Sequence, residues 1–219
     1  NDKGLRFSDD VPQQIIEMPA PELQGPDAED YEVIDIKEHS RLAQRPASYL
    51  VLTYRSKVIR KKSTQDIRYT PPPCNVLEGC YADVSLLAGM MVDKAMFHLP
   101  LYRQHQRMQL AGITLSRASL THWMQKTVAL LEPIYHAQRK HILQSKVLAM
   151  DEVPMKAGRK SKGKMKQTYY WPMYGDANEV AFTWSSSRGR LHAVQQLTDF
   201  QGTLLTDGYA AYEHTVSKL

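Results

Sequence analysis

Val147-Leu148-Ala149-Met150-Asp151 and Thr203-Leu204-Leu205-Thr206-Asp207 are two short apolar runs that each end in an aspartate. A continuous apolar run of this length reads as a strand buried on both faces. Each carboxylate then sits where a strand leaves the core and meets solvent. Between the runs, residues 167–174 and 179–185 read as two more strands, joined by the turn Gly175-Asp176-Ala177-Asn178. Residues 191–200 read as a helix with Leu191, Val194 and Leu197 on one face. The predicted order is strand, strand, strand, helix, strand. Two aspartates delivered in this way to one edge of a sheet suit a divalent cation that handles phosphates.

Upstream of this core the period is helical. Asp83 is placed to cap a helix through Leu86, Leu87, Met90 and Met91, Pro100 suits the first turn of a second, and Gly112 its C-terminal cap. Ser116 can cap a third helix carrying Leu120, Trp123, Thr127 and Leu131, and Pro133 restarts the chain before a last one. Further upstream, residues 31–36, 48–54 and 57–61 read as strands of a small sheet with a basic end, and Pro71-Pro72-Pro73 marks a stiff linker. Residues 1–30, rich in Pro, Asp, Glu and Gln, read as an acidic, poorly ordered lead-in. The expected organisation is therefore lead-in 1–30, basic β module 31–70, linker 71–82, helical segment 83–145 and catalytic core 146–219. The fold class is α/β in the broad sense, of α+β type.

Composition narrows the partners. Residues 1–40 carry a balance of −8, whereas the remainder carries +13. A basic body of this kind suits a polyanion, because neutralised phosphates release counterions. No apolar run approaches the ~18 residues of a membrane span, and no signal peptide is evident, so no membrane partner and a cytoplasmic setting are expected. Cys74 and Cys80, with five residues between them in the linker, make neither a disulfide framework nor a zinc knuckle. No histidine pair has helical ligand spacing, and no zinc is expected. With Asn1 first and no fold-ending signal at Leu219, the chain reads as a segment of a longer protein.

Several stretches carry a more specific pattern. Leu99-Pro100-Leu101-Tyr102-Arg103-Gln104, then Gly112-Ile113-Thr114-Leu115-Ser116-Arg117-Ala118-Ser119-Leu120 and Trp123, resemble the helical segment of insertion-sequence 66 family transposases. Met150-Asp151-Glu152-Val153-Pro154 resembles that family's first catalytic motif, and Thr206-Asp207-Gly208-Tyr209-Ala210-Ala211-Tyr212 its second. The resemblance covers residues 84–219 in the right order. It implies a ribonuclease H-like mixed-sheet core and a triad of two aspartates and a glutamate around two divalent ions, Mg²⁺ or Mn²⁺. Asp151 would bridge both ions and Asp207 would hold one. The implied reaction is phosphodiester cleavage and strand transfer on double-stranded DNA, at insertion-sequence ends and target, by a bacterial protein that forms a homo-oligomer on DNA. The family's glutamate has no counterpart before Leu219, and Glu213 follows Asp207 too closely for that role. The cysteine-rich zinc-binding sequence common ahead of the helical part is missing here.

Other residues have both a functional and a plainer reading. Glu152, next to Asp151, would face the other side of a strand and support the site structurally, unless the loop turns it inward. Tyr209 could support Asp207 or stack on a base, while Tyr212 reads as packing. The segment 156–166 holds six basic residues and no acidic one. Read as a loop, it offers Arg159, Lys160, Lys162 and Lys164 to DNA phosphates, or is simply a flexible, solvated hairpin tip. Arg188 and Arg190 are further phosphate-contact candidates. A helix-turn-helix reading of the helical segment turns Arg117, Ser119, His122 and Lys126 toward a DNA groove, against an inserted connector with Leu120 and Trp123 in its core. The rivals to a transposase are a ribonuclease H-like nuclease without strand transfer, and a DNA-binding regulator or decayed remnant with vestigial aspartates. Carboxylates ~4–7 Å apart are required if Asp151 and Asp207 share ions about 3.5–4 Å apart.

Overall fold

The computed structural model describes residues 5–45, 48–208 and 212. The chain divides into two compact units, Asn1–Leu130 and Leu131–Leu219. Each is α+β, and both carry sheets.

The first unit is built on a long hairpin. Strands β3 (Tyr31–Arg45) and β4 (Ser48–Lys61) pair antiparallel from Tyr31↔Lys61 to Arg45↔Ser48, with one register shift near Val33. The two separate strands expected over 48–61 are thus one. No turn intervenes because Ser56 is buried and donates from its hydroxyl to the Thr70 carbonyl at 2.6 Å. The other edge of β4 is shared by β2 (Gln13–Glu17), running parallel, and β5 (Ile67–Tyr69), antiparallel. A short β1 (Arg6–Phe7) pairs with β6 (Ile113–Thr114). The acidic lead-in, expected to be poorly ordered, therefore supplies two strands, whose backbone groups find partners on β4 and β6 without any apolar run to announce them.

Three helices complete this unit: α1 (Val84–Ala95), α2 (Leu101–Leu110) and α3 (Arg117–Leu130). The Asp83 carboxylate accepts from the Ser85 backbone N–H at 2.9 Å and caps α1, and Ser116 Oγ accepts from Ser119 N–H at 3.0 Å at the start of α3. Gly112 ends α2 with φ +78°, a conformation that favours glycine, and a Cβ there would also crowd the Ser8 side chain. Leu42 and Val51 from the sheet pack with Leu86, Met90, Met108, Leu120 and Trp123 from the helices.

The second unit holds helix α4 (Glu132–Ile142), strands β7 (Val147–Met150), β8 (Val153–Ser161), β9 (Lys164–Tyr174) and β10 (Val180–Ser185), helix α5 (Arg190–Gln196) and strand β11 (Thr203–Leu205). The sheet order is β10-β9-β7-β11, with β8 also on β9. Only β11 runs parallel to its neighbour, β7, and the crossover from β10 to β11 passes through α5. Alternate residues Trp171, Met173 and Ala181 pack with Leu148 and Met150 against Ile142, Ala193 and Leu197. Their neighbours Tyr170, Tyr174, Phe182 and Trp184 are exposed, as strand alternation requires.

The basic segment 156–166 is not a loop. It forms the turn-proximal half of the β8–β9 hairpin, turning at Lys162-Gly163 where Gly163 has φ +73°. Its lysines and glycines lack an apolar alternation because most of its residues are exposed and it buries no apolar face of its own.

Candidate metal centre

The position of Asp151 follows from its partner strand. The pairs Met150↔Met173 and Val153↔Tyr170 belong to one continuous register, so β7 and β8 lie along β9 as a single line broken at Asp151 and Glu152. Pro172 stands opposite the break. Asp151 N–H donates to the Pro172 carbonyl at 3.4 Å, but proline has no N–H to return the bond. The ladder opens there, and both acidic residues fall outside regular strand.

Asp207 reaches the same level from the other side. Strands β7 and β11 pair in parallel as Val147↔Thr203, Leu148↔Leu204 and Ala149↔Leu205. Asp151 and Asp207 each follow the last pair by two residues, and residues level with each other on parallel strands share a face. One carboxylate oxygen each from Asp151, Glu152 and Asp207 lie within 4.8 Å of one another. Asp151 and Asp207 are exposed, whereas Glu152 is buried.

The break in the strand turns Glu152 toward the aspartates, despite the side-to-side alternation expected of neighbours. Its backbone N–H donates to Asp151 Oδ1 at 2.7 Å. Both oxygens of its own carboxylate accept hydrogen bonds: Oε1 from the Arg188 guanidinium, and Oε2 from the Tyr212 hydroxyl at 2.9 Å. Tyr212 is buried, as a packing residue should be, with its ring edge-on to Trp171 at 6.3 Å between centroids. Burial, reinforced by the Glu152 carboxylate, pushes the Tyr212 phenol well above its usual range, so it remains a donor. Trp171 Nε1 in turn donates to Ser185 Oγ at 2.7 Å, and Ser185 Oγ to the Ser187 carbonyl at 2.6 Å.

Arg188, expected at phosphates, is thus an ion-pair partner of Glu152, though 45% of its side chain remains exposed. Arg190 opens α5 and is exposed. Lys160, Lys162 and Lys164 are exposed on the β8–β9 hairpin, which starts two residues after Asp151. Arg159 lies on β8 with its side chain outside the described residues. Arg117, His122 and Lys126 are exposed on α3, whose Leu120, Trp123 and Met124 are buried. Tyr209 and Glu213 also lie outside the described residues. The sequence missed the Arg188–Glu152–Tyr212 group; the acid beside Asp151 was its one available signal.

The donor set is all oxygen, which suits a hard divalent cation such as Mg²⁺ or Mn²⁺. Oxygens of the two exposed aspartates and of Glu152 lie close enough together that they could hold such an ion. Among the described residues no other trio of acidic, histidine or cysteine side chains comes this close, and Cys74 and Cys80 are free thiols. No helix among them is long and apolar enough to cross a membrane.

The chain is similar in sequence to known proteins. The uncharacterized protein y4jD of Sinorhizobium fredii (strain NBRC 101917 / NGR234) is 30% identical over 169 residues, 74% of this chain and 33% of that protein. The uncharacterized protein y4hP of the same strain is 30% identical over 166 residues, 71% of this chain and 30% of that protein. The chain therefore spans about a third of the length of these curated relatives. The family model described as Transposase IS66 family matches residues 79–218, which include both aspartates, Glu152 and Tyr212. The chain belongs to the transposase IS66 family.

Proposed function

We propose that this chain carries the first two metal ligands of a DNA transposase, Asp151 and Asp207, on a ribonuclease H-like core spanning residues 146–219. The observation that carries the reading is their level placement on parallel strands, with carboxylate oxygens within 4.8 Å. The sheet order β10-β9-β7-β11, with one parallel pair reached through α5, supports the fold assignment. Divalent cations held there supply charge that stabilises the attacking and leaving oxygens of an in-line phosphodiester displacement. The two aspartates bind and orient. The exposed lysines of the β8–β9 hairpin grip DNA backbone and hold register without reading sequence. Arg117, His122 and Lys126 on α3 form a second DNA-facing surface, and the protein acts as a homo-oligomer assembled on DNA.

The test uses the full-length protein with DNA carrying insertion-sequence ends, in Mg²⁺ or Mn²⁺. Nicking and strand joining are expected from the wild type and neither from Asp151→Asn. Activity retained in that variant would refute the assignment, and cleavage without joining would mark a nuclease.

A further inference from the structure

We propose that Glu152 is a positioning residue, not a cation ligand: it fastens Tyr212, five residues after Asp207, to the joint after Asp151. This deepens the reading of Asp151 and Asp207 as ligands and rests on it. The three acids are not equivalent. The Glu152 side chain is 1% exposed, whereas both aspartates face solvent. Each of its oxygens already accepts from a named donor, Arg188 on one and Tyr212 on the other. Withdrawing a buried carboxylate from its arginine leaves a charge uncompensated, so turning Glu152 to an ion carries a penalty.

The interactions also close on themselves. Glu152 holds Arg188, whose neighbour Ser187 accepts from Ser185, Ser185 accepts from Trp171, the Trp171 ring meets Tyr212, and Tyr212 donates back to Glu152. Four places far apart in sequence meet in this ring: the β7–β8 joint, Trp171 on β9, the β10–α5 connection and Tyr212 beyond β11. Tyr212 sits five residues beyond Asp207, so its bond to Glu152 restrains the chain that delivers the second aspartate. β11 itself is only three residues long and can supply little of that restraint.

The test compares wild type, Tyr212→Phe, Glu152→Gln and Asp151→Asn by Mn²⁺ binding, read by electron paramagnetic resonance, and by amide hydrogen exchange over residues 203–208 without metal. Tyr212→Phe removes one hydroxyl and no charge; it should weaken Mn²⁺ binding and speed the metal-free exchange, each by about fivefold to tenfold. Glu152→Gln should do both more strongly while keeping the Mn²⁺ stoichiometry. Asp151→Asn should lose Mn²⁺ binding with exchange unchanged. Unchanged exchange in Tyr212→Phe overturns the proposal. So does lost stoichiometry in Glu152→Gln when Tyr212→Phe binds Mn²⁺ like the wild type. A wild type that binds no Mn²⁺ defeats the ligand assignment alone, and the metal-free exchange then still decides whether Tyr212 and Glu152 hold the segment.

Discussion

Asp151 and Asp207 stand level with each other, two residues beyond the last pair of the parallel strands β7 and β11. Fifty-odd residues of intervening chain do not blur this relationship, because the parallel register fixes it. A one-residue slip of either strand would send one carboxylate to the opposite face. The two short strands therefore act as a ruler for the site.

The first prediction concerns metal-linked stability. A cation that binds only the folded chain adds about 2.7 kcal/mol at a concentration one hundred times its Kd. Mn²⁺ should raise the wild-type melting temperature accordingly, and Asp151→Asn and Asp207→Asn should each abolish that rise. Thermal melts with and without Mn²⁺ measure it; a shift that survives in both variants would place the ion elsewhere.

The aspartates were legible because apolar runs and strand order are local properties of sequence. The same holds for the caps at Asp83 and Ser116, where one side chain and its next few residues contain the whole interaction. The Glu152 network was not legible, because Arg188 and Tyr212 lie 36 and 60 residues away and reach Glu152 only through the sheet order. The strand pairing of residues 156–166 in the β8–β9 hairpin escaped the pattern for another reason. Period-two alternation marks a strand only when one face is buried, and this ribbon is exposed over most of its length.

That ribbon leads to the second prediction. Replacing Lys160, Lys162 and Lys164 together by Gln should weaken DNA binding evenly across sequences. The slope of log K against log salt should fall by about 0.9 for each phosphate no longer neutralised. Fluorescence anisotropy across a salt series on two unrelated duplexes would measure both effects. Weakening confined to one sequence would contradict backbone binding.

A third prediction tests the core behind the site. Trp171 is fully buried, donates to Ser185 and meets the Tyr212 ring. Trp171→Ala should cost about 3–5 kcal/mol, because the large apolar ring is removed and a cavity takes its place. Chemical denaturation would register this as a lower midpoint with an unchanged slope.

Asp176 gives the pH dependence. Its carboxylate accepts from the Lys146 backbone N–H at 2.8 Å, tying the β9–β10 turn to the start of β7. That bond, helped by Ser145, lowers its pKa below the ordinary carboxylate value. A depressed carboxylate contributes stability that is complete above its unfolded pKa and fades as pH falls through the folded one. The wild type should therefore be more stable than Asp176→Asn near neutrality, and the gap should close on acidification below the usual aspartate range. Parallel urea melts across that range would follow it; a gap that widens in acid would show the sign to be wrong.

The last prediction concerns the break itself. Pro172 accepts from Asp151 N–H but cannot donate in return, and this one-sided pairing lets the chain leave the ladder at the first aspartate. Pro172→Ala restores a donor opposite the Asp151 carbonyl. The β7–β8 line should then close into an unbroken strand, in which Asp151 and Glu152 must face opposite sides. Glu152 stays fixed by Arg188 and Tyr212, so the strain falls on Asp151. Mn²⁺ affinity should drop by about tenfold while stability changes by about 1 kcal/mol or less, the net worth of one backbone hydrogen bond. Affinity equal to wild type would mean that the proline does not set the geometry of the first ligand.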